Sequence, residues 1–286
     1  MEMKCIDITV KSAFNVFTED GYSLNPYRGC SHSCAYCYAS GTFWRSHMPE
    51  YFKDTSDHFT TILVKTNIGM VIRKELMSKR PYSIHIGTIT DPYQPCEGIR
   101  KITRSVLESL LYLPPREIHI LTKGTLIVRD IDILRELSQI SSVRVSFTIT
   151  TLNRKHYKHI EPHAPNPWLR LKAMKMLSES GITVGVSIAP IMPGINDNIN
   201  TLRYIWNTAR YHGASYFFID ALKLEHSVKK HFLKTIRSYM PGMMKTYISL
   251  YQTAEKPISF SIYVNHLKHM LEKETNKCPN PIKYNA

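Results

Sequence analysis

The sequence predicts an α/β protein built around parallel strands, and three observations lead to that fold class. Strand-like and helix-like segments alternate along the chain, which is the pattern of serial βα units. The strand-like segments are apolar on nearly every residue, as expected of strands that are covered on both faces. Several of them lead into polar, Pro-rich or Gly-rich loops. A doubly wound sheet and a full or partial barrel both fit this pattern, and periodicity does not separate them.

Six segments are predicted as strands because β-branched and aromatic residues dominate them. They are TILVK (61–65), SIHIGTIT (83–90), EIHILTK (117–123), VRVSFTIT (143–150), ITVGVSIAP (182–190) and ASYFFIDAL (214–222). Five segments between them are predicted as helices, two of which end in Ser-Gly or His-Gly, a common helix stop. They are NIGMVIRKELMSK (67–79), IRKITRSVLESLLYL (99–113), RDIDILRELSQI (129–140), NPWLRLKAMKMLSESG (166–181) and NINTLRYIWNTARYHG (198–213).

Functional side chains are expected where the strands end. In both candidate architectures, sites form at the carboxyl ends of parallel strands. The segments found there are TDPYQPCE (90–97), LTKG (121–124), SFTITTLN (146–153) and APIMPG (189–194).

Composition indicates an ordinary globular protein. Of the 286 residues, 43% are hydrophobic and 21% are charged, and no apolar run approaches the ~20 residues that span a bilayer. The start MEMKCIDITVK carries acidic residues where a secretory signal has a basic and then an apolar segment. We therefore expect a cytoplasmic protein with no membrane association and with reduced thiols.

The net charge of +14 is unevenly distributed. Residues 223–286 hold 11 Lys and Arg against 4 Asp and Glu, whereas the first 222 residues hold 26 against 19. Clustered basic residues favour binding to nucleic acid, because they release counterions from it. A solvated basic surface is the alternative, since charge alone does not identify a partner.

Three of the six cysteines, Cys30, Cys34 and Cys37, fall within the segment LNPYRGCSHSCAYCYA (24–39). Disulfides are disfavoured in a reducing compartment, and an odd number leaves one thiol over. Structural zinc needs four closed ligands, and His32 is badly placed beside Cys30 to be the fourth. Three thiolates on a 4Fe-4S cluster leave one iron open for chemistry. The spacing Cys-x3-Cys-x2-Cys therefore favours a cluster, with zinc as the alternative.

That spacing, with an aromatic residue before the last cysteine, resembles the radical S-adenosylmethionine (SAM) superfamily. Further blocks resemble its spore photoproduct lyase-like branch, in order across roughly residues 22–235. These blocks are LNPYRGCSHSCAYCYA, TILVK, GTITDPYQPCE, LTKGTLIVRDIDIL, EPHAP and VSIAPIMPGIND. The resemblance implies a partial (β/α)6 TIM-type barrel whose first strand lies around Gly21–Asn25, with a short, mostly helical C-terminal extension. It divides the chain into an N-terminal extension (1–20), a core domain (21–238) and a basic C-terminal extension (239–286).

The resemblance also implies cofactors and partners. One 4Fe-4S cluster would be held by Cys30, Cys34 and Cys37, and SAM would bind to its open iron. An external electron donor such as flavodoxin or ferredoxin would reduce the cluster, and SAM would then be cleaved to a 5′-deoxyadenosyl radical that takes a hydrogen atom from a substrate. The sequence does not identify that substrate, so the reaction is expected only to be lyase-like or oxidoreductase-like.

Roles in SAM binding follow for residues that match the family's motifs. Tyr36 would lie against the adenine or shield the cluster. The amino group would contact Thr90 and Asp91, and the carboxylate would contact Lys123. Near the ribose and adenine the matching residues are Ser146 and the Ala189 backbone.

One departure concerns the hydrogen donor. In the lesion-repairing lyases a cysteine stands where this chain has Thr88, and a hydroxyl cannot replace a thiol because its O–H bond is too strong. Tyr36 and Tyr38 match the tyrosines of the lyase radical relay, and Cys96 is a candidate alternative donor. DNA photoproduct repair or other nucleic-acid modification is therefore an alternative function. A non-enzymatic iron–sulfur or redox-sensing protein is a second alternative.

The C-terminal extension is predicted to be helical. One helix ends at Pro241-Gly242, a short helix follows, and ISFSIYVNHLKHMLEKE forms the last, although its start alternates like a strand. Cys278 is solitary, so an auxiliary cluster is not expected.

Overall fold

The computed structural model describes residues 3–41, 48, 50–54 and 56–275. Its centre is a seven-stranded sheet with the order β10-β9-β8-β7-β6-β3-β2. A second sheet has three strands in the order β1-β5-β4. The strands are β1 Lys4–Ile8, β2 Phe14–Thr18, β3 Gly21–Leu24, β4 Tyr27–Arg28, β5 Thr61–Lys65, β6 Ser83–Ile86, β7 Glu117–Thr122, β8 Ser142–Thr148, β9 Thr183–Ser187 and β10 Tyr216–Phe218.

Eleven α-helices lie within the described residues. They are α1 Asp57–Thr60, α2 Ile68–Lys79, α3 Glu97–Arg100, α4 Ile102–Leu110, α5 Ile131–Ser138, α6 Arg154–Ile160, α7 Pro167–Glu179, α8 Ile199–Tyr211, α9 His226–Tyr239, α10 Met244–Leu250 and α11 Ile258–Thr275. None of these helices has the length and apolar character needed to cross a bilayer.

Six strands of the large sheet, β3 and β6 to β10, are parallel and follow one another in chain order. Helices connect successive strands from β6 onward. In the described part of the chain pairing stops at the two edges, with β2 antiparallel to β3 on one side and β10 on the other. This arrangement confirms the partial TIM-type barrel and its first strand near Gly21.

The longer helices between strands each bury one apolar stripe. In α2, Ile68, Ile72 and Leu76 are buried at intervals of four residues, which places them on one face of the helix. α2 packs against α4, whose Val106 and Leu110 have the same spacing and are also buried. The apolar periodicity that predicted these helices thus reports the face on which they pack.

The strand TILVK forms, but it lies outside the large sheet. As β5 it pairs in parallel with β1 and antiparallel with β4. Both partners are short or lie near the N-terminus, so the chain pattern alone did not reveal a second sheet. This small sheet holds the start of the cysteine segment, because β4 immediately precedes Gly29.

The C-terminal segment is mostly helical up to Thr275, where the described residues end, as predicted. Phe260, Val264, Leu267 and Leu271 of α11 are buried, a spacing that belongs to a helix and not to a strand. Arg203 of α8 pairs with Glu274 of α11. The division into 1–20, 21–238 and 239–286 stays a prediction, and Cys278 lies outside the described residues.

Candidate active site

The segment that carries the three cysteines, residues 29–38, is here named the cysteine loop. Gly29 at its start has φ = +80°, and a Cβ there would lie 2.1 Å from the Thr61 carbonyl oxygen. Only glycine fits this approach to β5. The Cys30 N–H then donates to the His58 carbonyl at 2.8 Å, so the small sheet and α1 fix the entry of the loop.

The cysteine thiols are largely enclosed. Burial raises the pKa of Cys34, and burial together with Cys34 raises the pKa of Cys37 to about 12. The Lys123 ammonium opposes both shifts. Metal binding requires thiolates, so these thiols would ionise only when a positively charged group binds to them.

The described residues contain no three His, Cys, Asp or Glu side chains that could hold a single metal ion. A four-iron cube separates its cysteine ligands more widely than one ion does, because each thiolate binds a different iron. The loop also contains buried polar atoms without a hydrogen-bond partner, namely Ser31 Oγ and His32 Nε2. Three thiols and unpaired polar atoms in one enclosed loop fit a cluster with acceptor sulfurs.

His58 is a neighbour of the loop that sequence reasoning missed. Its Nε2 lies 3.8 Å from Cys37 Sγ. Burial lowers the pKa of His58 to about 4, so this imidazole is neutral at pH 7. No sequence signal singled it out, because it lies in α1, outside the cysteine segment.

Thr90 and Asp91 lie beside the loop, as the resemblance implies. Thr90 Oγ1 donates to the Gly29 carbonyl at 2.5 Å, and Gln94 Nε2 donates to the same oxygen at 3.2 Å. These bonds pin the loop to the segment that follows β6. Gln94 is a buried residue for which the sequence suggested no role.

The Asp91 carboxylate already receives four protein contacts. They are Tyr93 N–H at 2.9 Å, Thr122 Oγ1 at 2.6 Å, Lys123 N–H at 2.6 Å and His32 Nδ1 at 3.3 Å. Burial raises the pKa of this carboxyl, but the contact with His32 and the hydrogen bonds lower it well below its usual range. Two contacts fall on each oxygen, which is the full capacity of a carboxylate.

Lys123 follows β7 and lies over Tyr36, with Nζ 5.5 Å from the ring centroid. Burial lowers the pKa of Lys123, but the Cys34 thiol and the Glu161 carboxylate outweigh burial and raise it. The ammonium is therefore charged at neutral pH and suited to a carboxylate ligand.

Glu161 is a second residue that sequence reasoning missed, although the block EPHAP contains it. Its buried carboxylate accepts hydrogen bonds from the Tyr36 hydroxyl and, at 2.8 Å, from Thr150 Oγ1. Arg170, fully buried, pairs with it at 2.6 Å. An acid between apolar and proline residues just after a helix was the available signal.

Tyr38, the last residue of the cysteine loop, contacts Thr88, which follows β6. The Tyr38 hydroxyl donates to the Thr88 carbonyl, and the Thr88 hydroxyl accepts from Asn25 Nδ2 at 3.1 Å. The threonine that replaces the lyase cysteine is therefore next to one of the two relay-type tyrosines.

Three other predicted residues have different surroundings. Ser146 is buried, and its hydroxyl lies 3.0 Å from the Tyr216 hydroxyl. Ala189 comes two residues after β9 and precedes a cis peptide bond to Pro190. Cys96 is buried among Cys5, Glu97 and Tyr27, and burial raises its pKa; these neighbours belong to the small sheet and α3.

A cysteine loop, a lysine and two acids thus form a candidate cofactor site at the carboxyl edge of the parallel sheet of this α/β protein. The family model of the radical SAM superfamily matches residues 24–205, and the chain therefore belongs to that superfamily. A protein of Mycobacterium tuberculosis is 31% identical over 235 residues, which cover 81% of this chain and 67% of that protein. A Methanocaldococcus jannaschii protein is 28% identical over 276 residues, or 96% and 95% of the two chains. Both relatives are described as uncharacterized.

Solved structures are similar in fold. Spore photoproduct lyase complexed with dinucleoside spore photoproduct matches with a TM-score of 0.58 and 15% identity, over 87% of this chain and 80% of that chain. Streptococcus suis SuiB bound to S-adenosylmethionine matches with a TM-score of 0.52 and 13% identity, over 89% and 49%. The match of the family model thus confirms the resemblance to the radical SAM superfamily that the sequence suggested, and the solved structures agree with it in fold.

Proposed function

We propose that this protein is a cytoplasmic enzyme that binds one 4Fe-4S cluster through Cys30, Cys34 and Cys37 and uses SAM as its radical source. The single observation that carries the proposal is the membership of residues 24–205 in the radical SAM superfamily, together with the match of the three cysteines to its motif. When bound, the cluster and SAM supply a 5′-deoxyadenosyl radical that abstracts a hydrogen atom from the substrate. Flavodoxin or ferredoxin would be the external electron donor.

The residues around the loop have distinct tasks in this proposal. Lys123 binds the SAM carboxylate, because a charged, buried amine pairs strongly with an anion. Thr90 and Asp91 face the amino group of SAM. Because all acceptor positions of Asp91 are occupied, Asp91 binds the SAM ammonium only when one of its present donors is displaced. Tyr36 lies against the adenine or shields the cluster, and its ring is next to Lys123. Ser146 and the Ala189 backbone complete the ribose and adenine side.

Anaerobic reconstitution of the full chain tests the proposal. We expect about four irons per chain with broad visible absorption, and formation of 5′-deoxyadenosine when dithionite and SAM are added. A colourless protein holding one zinc ion would contradict the proposal. An intact cluster with no SAM cleavage would instead support an electron carrier or redox sensor.

Nucleic-acid modification is the second candidate function. It is supported by the net charge of +14 and by the contact between Tyr38 and Thr88, while Thr88 itself weighs against the repair reaction. Cys96 as an alternative donor is less supported, because its neighbours are Cys5 and Tyr27. Salt-dependent binding of DNA or RNA, measured by fluorescence anisotropy, would favour this candidate. Binding to neither would exclude it.

A further inference from the structure

Residues 160–163, at the end of α6 and just after it, contact the cysteine loop. The contacts join backbone to backbone and side chain to side chain. They are the Ala35 N–H to the Ile160 carbonyl at 2.8 Å, the Tyr36 hydroxyl to the Glu161 carboxylate, and the His163 N–H to the His32 carbonyl at 3.3 Å.

Glu161 is itself held rigidly. Its partner Arg170 donates to the Thr148 carbonyl at 2.8 Å and to the Pro165 carbonyl at 2.7 Å. The guanidinium therefore links the carboxylate to the end of β8 and to the segment before α7. Since both members of the pair are buried, the carboxylate has little freedom to turn away from Tyr36.

The same carboxylate influences Lys123. Glu161 raises the pKa of Lys123, and Lys123 in turn lowers that of Glu161. One buried anion therefore lies among two cations, of which Arg170 is bound by backbone carbonyls and Lys123 is directed toward the cysteine loop. Lys123 Nζ also lies over the ring of Tyr36. The hydroxyl of the same tyrosine donates a hydrogen bond to Glu161.

We propose that Glu161 is a positioning residue that fixes the orientation of Tyr36 and, through the Tyr36 ring, the position of Lys123 for SAM, an inference that rests on the proposed function. Tyr36 and Lys123 would contact SAM, whereas Glu161 would act through them. In Glu161→Gln the Tyr36 hydroxyl would keep only a neutral amide oxygen as its acceptor, and Lys123 would lose an opposing charge.

The chain offers a matched control in Glu97. This buried carboxylate also accepts from a tyrosine hydroxyl, that of Tyr27, and pairs with an arginine, Arg129, at 2.6 Å. It also accepts the Thr103 N–H at 2.8 Å. The control therefore repeats the residue types and the burial, with a tyrosine of the small sheet in place of Tyr36.

The test compares the full-length wild type, Glu161→Gln and Glu97→Gln after anaerobic reconstitution. SAM affinity is measured by equilibrium dialysis, and the electron paramagnetic resonance spectrum of the reduced cluster is recorded with and without SAM. We expect Glu161→Gln to raise the SAM Kd by about 10- to 100-fold, the range for residues that orient ligand-binding groups. Iron content and the spectrum without SAM should be unchanged, the spectrum with SAM should differ, and Glu97→Gln should bind SAM as the wild type does.

An unchanged Kd in Glu161→Gln would overturn the inference, and so would an equal weakening in Glu97→Gln, which would indicate a general effect on folding. Because Glu161→Gln leaves the Arg170 charge uncompensated, the double variant Glu161→Gln with Arg170→Gln removes both charges. We expect the same rise in Kd from it, and wild-type affinity there would also overturn the inference. Failure of the proposed function is distinguishable, because the wild type itself would then bind no cluster or no SAM.

Discussion

Two buried carboxylates, Glu161 and Glu97, have nearly the same immediate partners and different surroundings. Each accepts a hydrogen bond from a tyrosine hydroxyl and pairs with an arginine at 2.6 Å. The partners of Glu97 join the small sheet to α3 and α4, since Tyr27 lies in β4 and Thr103 in α4. The partners of Glu161 include the cysteine loop and, through charge, Lys123.

The comparison shows that a buried Glu–Arg–Tyr arrangement does not by itself indicate a functional site. In both places it satisfies polar groups that burial would otherwise leave unpaired. Glu161 differs from Glu97 because it also interacts electrostatically with Lys123 and Cys34. These residues are 38 and 127 positions away in the sequence. Perturbing each region separately tests this distinction.

The largest difference is expected from Cys34→Ala. The variant removes one of the three proposed cluster ligands and leaves the Glu97 region intact, so SAM cleavage should be abolished and bound iron should fall. Iron analysis and a 5′-deoxyadenosine assay on reconstituted protein measure both. Cys5→Ala, next to Cys96, is the control and should retain activity; loss of activity in it would remove the distinction between the regions.

The next difference concerns stability. Arg170→Ala leaves a fully buried carboxylate without its paired guanidinium and should lower the free energy of unfolding by about 3–5 kcal/mol. Arg129 is 26% exposed, and Glu97 keeps Tyr27 and Thr103 as donors, so Arg129→Ala should cost about 1.5 kcal/mol. Urea unfolding of the two variants provides the comparison. Equal losses of unfolding free energy would mean that the two arrangements contribute equally to the stability of the fold.

Lys123→Ala tests the ligand side of the Glu161 region. It should weaken SAM binding by about tenfold, equivalent to about 1.4 kcal/mol, while the cluster is retained. Lys256, whose ion pair with Asp220 lies outside the cysteine loop, provides the control variant Lys256→Ala. Equilibrium dialysis with SAM measures both affinities, and an unaltered Kd for Lys123→Ala would exclude this lysine from the site.

The smallest effect is expected from pH. Burial raises the pKa of Glu161, but Arg170 and Lys123 outweigh it, so the folded-state pKa lies below the ordinary value of 4.5. A carboxyl with a lowered folded pKa stabilises the fold above its unfolded pKa and loses that contribution as pH falls below it. The stability gap between the wild type and Glu161→Gln should therefore narrow below about pH 4.5. Urea unfolding at a series of pH values checks this, and a gap that widens on acidification would contradict it.

Sequence reasoning succeeded where a pattern is local. The apolar segments gave the parallel strands and their helices, and the cysteine spacing gave the loop, because both depend on residues close in the chain. TILVK was identified as a strand, but its sheet was not, since β1 and β4 come from two separate segments. The start of α11 alternates like a strand, and only its later apolar spacing revealed a helix.

The candidate site was predictable in part for the same reason. Thr90, Asp91 and Lys123 were found through motifs at strand ends, and the structure brings them beside the cysteine loop. Glu161, Arg170 and His58 were not assigned roles, because their importance comes from packing between distant segments. The four donors to Asp91 could not be predicted from the sequence either, because they come from three segments that are far apart in the chain.

The steric restriction at Gly29 has a consequence for reading mutational data. A side chain there would collide with the first residue of β5, so its immediate effect would be to push β5 away from β4 and the start of the cysteine loop. A scan that scores only product formation would assign this intolerance to cofactor chemistry, although the affected contact belongs to the scaffold. The effect of a substitution at position 29 is therefore best measured as folding stability, and the effect of substitutions at the following cysteines as bound iron.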